Sequence, residues 1–149
     1  MNPKMVKVKF SDAEGNVETL WAEALGNDLY RLCNSPFYAY GISWQDVIEA
    51  RCEQENEFPE FIRIVQKSGN RTLRILLDPP ADMAQESQEI LDDLVEMGCD
   101  YEGFNPAFLC VNVPAEVELE LVCDFLTEME CSWEHADPTY FQLYPKVLH

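Results

Sequence analysis

Residues 72–136 read TLRILLDPPADMAQESQEILDDLVEMGCDYEGFNPAFLCVNVPAEVELELVCDFLTEMECSWEHA, and the rhythm of this stretch decides the fold class. Thr72–Leu77 has the apolar, β-branched character of a strand, and Asp78-Pro79-Pro80 ends it. Over Ala81–Met97 the period changes to that of a helix. Met83, Ile90, Leu94 and Met97 recur on one face with Leu91 and Val95 beside them, and Gly98 follows where a left-handed cap ends a helix. Cys99–Phe104 and Ala107–Val113 read as two strands joined at Asn105-Pro106. Pro114 opens a second helix over Ala115–Met129, with Val122, Phe125, Leu126 and Met129 inward, and Ser132–Ala136 is a last strand before the tail Thr139–His149. The order β-α-β-β-α-β predicts a ferredoxin-like unit with both helices on one side of its sheet.

Residues before this stretch have another rhythm. Met5–Phe10 alternates Val6 and Val8 with Lys7 and Lys9, as a strand with one wet face does. Val17–Ala24, Leu29–Leu32, Gln45–Cys52 and Phe61–Lys67 are further short strands, separated by turns at Asp12–Asn16, Gly26–Asp28 and Ser68–Asn70, and Phe37–Gly41 is a compact aromatic loop. Five short strands with tight turns predict a small, bent antiparallel β-sheet or partial barrel. The fold class is therefore α+β, with residues 1–70 as a β-rich lobe and 71–149 as a ferredoxin-like acidic lobe, packed as two lobes or as one compact unit.

Charge separates the same two halves. Residues 1–77 hold 9 basic and 11 acidic side chains, net −2, whereas residues 78–149 hold 1 basic (Lys146) and 17 acidic, net −16. No Lys or Arg occurs between Ile75 and Pro145. Surfaces ordinarily mix both signs, so a single-sign field over half a chain predicts a basic partner met one to one. Asp82, Glu86, Glu89, Asp93 and Glu96 fall on the outer face of the first helix, and Glu116, Glu120, Asp124 and Glu128 on that of the second. Trp133, Tyr140 and Tyr144, with Phe141, are candidate anchors for that partner, since charge sets encounter and specificity while buried aromatic contacts set affinity. Direct nucleic-acid binding and anionic membranes are disfavoured, because both need Lys and Arg.

Catalytic constellations are sparse. The chain holds two histidines, His135 and His149, too few for a facial metal site, and neither GxSxG, HExxH nor a phosphate-binding glycine loop occurs. Adjacent Asp92 and Asp93 diverge around a helix and form no dyad. Asp78–Asp82 lacks calcium-loop spacing. The six cysteines lack a CxxC pair and read as reduced thiols. The expectation is a non-enzymatic protein with no metal or cofactor. The Met1–Lys7 segment lacks an apolar leader core and no apolar run is long enough to span a bilayer, so a cytoplasmic protein is expected. A ligand-sensing regulatory module of ferredoxin-like type is the alternative function, and a small hydrolase or transferase built on His135 the least favoured.

Leu20-Trp21-Ala22-Glu23, Leu29-Tyr30-Arg31-Leu32, Asn34-x-Pro36-Phe37, Ala39-Tyr40-Gly41-Ile42-Ser43, Asp46-Val47 and Ser68-Gly69-Asn70-Arg71-Thr72-Leu73-Arg74 together resemble a bacterial domain family of unknown function. The resemblance covers the first half and part of the second. It implies a shared fold and a bacterial origin, and no reaction. Some small acidic proteins similar to this one act as immunity partners of secreted toxins, so the resemblance also implies an antitoxin-type role, occluding a nuclease or nucleotide-using transferase.

Overall fold

The computed structural model describes residues 4–55 and 57–145, so the first three residues and the last four of the predicted tail lie outside it. The first five strands, β1 (Met5–Ser11), β2 (Val17–Gly26), β3 (Leu29–Leu32), β4 (Val47–Arg51) and β5 (Glu60–Gln66), close into a barrel. Neighbours are antiparallel along the chain, while β1 meets β5 in parallel at Lys9 and Glu60. That seam is held by Lys9 N–H donating to Pro59 O at 2.8 Å and Ser11 Oγ donating to Glu60 at 3.0 Å. The inward side chains of these alternating strands, among them Val8, Phe10, Leu20, Ala22, Leu32 and Ile48, form one core with Ile42.

The second sheet has the order β7-β8-β6-β9, all antiparallel, from β6 (Arg71–Leu76), β7 (Asp100–Gly103), β8 (Phe108–Val113) and β9 (Ser132–Asp137). Helices α1 (Gln85–Glu96) and α2 (Leu119–Glu128) cover one face. Leu91 and Leu94 from α1, and Val122 and Leu126 from α2, pack on Leu73, Ile75, Leu109 and Val111. A four-residue helix α3 (Tyr140–Leu143) follows β9. Gly98 closes α1 at φ +103°, and a Cβ there would meet Val117 at 3.0 Å, so the cap also seats the approach to α2.

The ferredoxin-like expectation is corrected by this architecture. The molecule is mostly sheet, with a closed five-stranded barrel, a four-stranded antiparallel sheet and helices of only 12, 10 and 4 residues. A ferredoxin-like unit standing by itself would leave one sheet face wet. Here the face turned away from the helices is buried too, at Thr72 and Arg74 on β6 and Cys110 and Asn112 on β8. Arg74 donates to Pro36 O and Ala39 O, Cys110 Sγ contacts Pro36 O at 2.8 Å and Thr72 meets Ser43, so the segment after β3 lies across that face. No local pattern marks this face as buried, because its partners lie far away in the chain. The bent sheet likewise becomes a closed barrel because the β1–β5 seam joins strands distant in sequence.

The helices are shorter than their apolar periods. Met83 is 76% exposed in a turn before α1, and Val95 and Met129, predicted inward, are also exposed. Among the described residues no helix is long and apolar enough to cross a membrane.

Candidate functional site

The nine predicted carboxylates are all exposed. Asp82 lies in the turn before α1, Glu86, Glu89, Asp93 and Glu96 on α1, Glu116 before α2, and Glu120, Asp124 and Glu128 on α2. No ion pair reaches any of them among the described residues. Neither helix has a basic residue in its last turn. Glu89–Asp93, Asp92–Glu96, Glu120–Asp124 and Asp124–Glu128 are like charges one helical turn apart, each costing roughly 0.2–0.5 kcal/mol. Glu96 and Glu128 also sit at the negative end of their helix dipoles, which adds to the cost.

The aromatic candidates divide. Trp133 is half-buried against the helix layer, its Nε1–H donating to Thr127 Oγ1 at 3.1 Å. Tyr140 and Tyr144 are exposed on and just after α3, with ring centres 5.1 Å apart. A reciprocal cap fixes this short helix: Gln142 N–H donates to Thr139 Oγ1, and Thr139 N–H donates to the Gln142 side chain at 2.7 Å. His135 lies within 4.9 Å of the Trp133 ring centre and 6.4 Å of that of Tyr144. Burial lowers its pKa, which favours the neutral ring, and its Nδ1 has no partner among the described residues. A cavity of about 510 Å³ is lined by Glu120 and Asp124 on one side and by Trp133, His135, Tyr140 and Tyr144 on the other. The fold thus joins the acids of α2 to the tail aromatics, while the acids of α1 extend the same helix layer towards β7.

Sequence reasoning missed the polar junction between barrel and sheet. Lys67 Nζ sits 2.6 Å from Asp46 Oδ2 and 2.5 Å from Asp137 Oδ2, and donates to Gly41 O at 3.1 Å. Ser43 Oγ donates to Asp137 at 2.5 Å and meets Thr72 Oγ1 at 2.7 Å, and the N–H groups of Ser43 and Ser68 donate to Asp46. Arg74, 3% exposed, stacks on Tyr40 with its guanidinium 4.4 Å from the ring centre and reaches Glu134 at 3.4 Å. Ser43, Asp46, Thr72 and Arg74 all belong to the motif strings of the family resemblance, and that was the signal available.

The aromatic loop is fixed from both sides. Glu18 accepts the N–H groups of Phe37, Tyr38 and Ala39, and Phe37 and Tyr38 pack edge-on against Phe104 and Phe108. Its residues Tyr38–Tyr40, with Phe10, Phe61 and Ile42, line a cavity of about 640 Å³ at the barrel mouth. All six cysteines are free, and burial raises the thiols of Cys99 and Cys123 to about 11 and that of Cys110 to about 12. At those values the three thiols stay protonated and poorly nucleophilic at neutral pH. Among the described residues no group of three or more His, Cys, Asp or Glu is placed to hold a metal ion.

The fold resembles that in the crystal structure of a hypothetical protein from Neisseria gonorrhoeae. It aligns with a TM-score of 0.71 at 18% identity, over 94% of this chain and 98% of that one, a likeness of fold. Residues 18–135 match the family described as Domain of unknown function (DUF4265), and the chain belongs to that family. The match takes in the Leu20–Glu23 to Arg74 motifs and most of the acidic half. No curated protein matches the chain.

Proposed function

We propose that the protein is an inhibitor of the immunity type, which binds a basic toxin domain one to one and occludes its active site. The observation that supports this reading is the acidic helix layer, which weakens its own helices. Four like-charged pairs at i,i+4 and two acids in C-terminal turns are expected to cost on the order of 1–3 kcal/mol together. A merely solvated face gains from interspersed Lys, and neither α1 nor α2 has any. Toxin domains that act on nucleic acids or nucleotide cofactors present basic clefts, and an acidic face imitates the phosphate field they recognise. Such a face steers encounter and rejects wrong partners, while the aromatic side chains beside α2 supply the contacts that hold the complex.

Co-expression with the product of the adjacent upstream gene tests the reading. The expected result is rescue of growth and a co-purifying 1:1 complex. Its association rate should fall with salt, and Glu89→Lys with Asp93→Lys should slow association about tenfold at low ionic strength without unfolding the protein. A harmless neighbour that forms no complex sinks the immunity role. A double variant that associates at the wild-type rate removes α1 from the contact.

A further inference from the structure

Strand β9 is the end of its sheet. It pairs with β6 on one side only, and the outer backbone groups of Ser132–His135 have no ladder partner among the described residues. Natural proteins usually blunt such an edge with Lys, Pro or a covering element, because it is a ready template for another strand. Here the edge faces a groove of about 580 Å³. Side chains alternate along it. Trp133 and His135 point to the helix side, where Tyr140 and Phe141 form the far wall, and Phe141 is 70% exposed. Glu134 points to the barrel side, where Tyr40 Oη donates to its carboxylate at 2.7 Å and Arg74 reaches it at 3.4 Å, and its side chain remains 48% exposed to an incoming cation. Among the described residues no basic side chain lines the groove.

We propose that this edge is a strand-addition site whose occupant is an extended segment of the basic partner, with basic and apolar residues alternating. Added beside β9, such a segment places every second side chain against Trp133, His135 and the Tyr140–Phe141 wall, and the intervening basic ones next to Glu134. Main-chain bonds supply affinity and the alternate pockets supply specificity. Charge excludes a second copy of this chain as the favoured occupant, since it would bring another half carrying 17 acids and 1 base against this one. The inference rests on the reading that the partner is basic, and it names where and how that partner is held.

The test uses the intact chain and two eight-residue peptides of equal charge, one alternating Arg and Val and one with four Arg followed by four Val, in salt high enough to suppress loose adhesion. Amide hydrogen exchange is followed by nuclear magnetic resonance. The expected result is that the alternating peptide slows exchange about tenfold at every second amide of Ser132–His135, because alternate N–H groups of an edge strand point outward. The block peptide should leave them unchanged. Tyr140→Ala with Phe141→Ser, both at exposed positions, should weaken binding about tenfold without altering the fold. Equal protection by the two peptides, shifts confined to the outer faces of α1 and α2, or protection that grows with protein concentration alone would each overturn the proposal. A neighbouring gene product that binds without protecting β9 also overturns it, and leaves the immunity reading standing. Peptide binding at β9 with a neighbour that does not bind does the reverse.

Discussion

Lys67 holds two carboxylates that the fold has taken out of water. The Asp46 and Asp137 side chains are 0% and 6% exposed, and the ammonium sits between them while its stem reaches solvent at 42%. Asp137 comes from β9 and Asp46 from the approach to β4, so one side chain ties the barrel to the sheet. Removing it leaves two desolvated like charges close together, with Ser43, Ser68 and Thr72 as their remaining polar surroundings. Lys67→Met is expected to destabilise the protein by roughly 2–4 kcal/mol, below the fully buried case because the lysine is partly exposed. Urea unfolding checks this: the midpoint should fall with little change in slope. An unchanged midpoint would mean that water enters the junction and solvates both acids.

At the scale of the element, α1 and α2 carry their like charges against their own stability. Glu96→Lys removes the repulsion with Asp92 and places a cation at the C-terminal end of the α1 dipole. The expected gain is about 0.5–1 kcal/mol, read as a rise of a few degrees in melting temperature. A loss of stability would show that Glu96 has a favourable contact in solution and that the helix face is not electrostatically strained. These elements were largely legible in the sequence. The five barrel strands, both principal helices, the Gly98 stop and the last strand fall within a few residues of their predicted places, because local period and turn chemistry report local structure. The layer on the other face of the second sheet was not legible. Thr72, Arg74 and Asn112 look like the wet side of a strand until the Ser35–Ser43 segment is laid over them, and no local pattern encodes that contact. The exposed acids could be read from charge alone. The open edge of β9 could not, because which strand ends a sheet depends on the order in space.

Across the whole molecule the charge of −18 should act on folding and on the proposed binding of a basic partner with opposite salt dependence. Self-repulsion in the acidic half opposes compaction, and salt screens it as the Debye length falls from about 30 Å at 0.01 M to about 10 Å at 0.1 M. The ion pairs recorded in the structure lie mostly on the barrel, where Arg51 and Arg63 flank Glu49 and Arg31 meets Glu23, and exposed pairs of this kind contribute little to be lost. The melting temperature should therefore rise with sodium chloride over the 0.01–0.1 M range and flatten above it, where the Debye length is already shorter than the separation of most surface charges. Scanning calorimetry across that range is the measurement. A variant carrying both Glu96→Lys and Glu128→Lys should show a shallower rise, because it removes repulsion at the ends of the two helices that salt otherwise screens. A melting temperature that falls as salt is added would overturn the account, since it would mean that attractive pairs outweigh the repulsion of the acidic half. The association rate with a basic partner must move the other way over the same range, falling while stability climbs. That opposition separates an acidic face kept for steering from one that serves solubility alone.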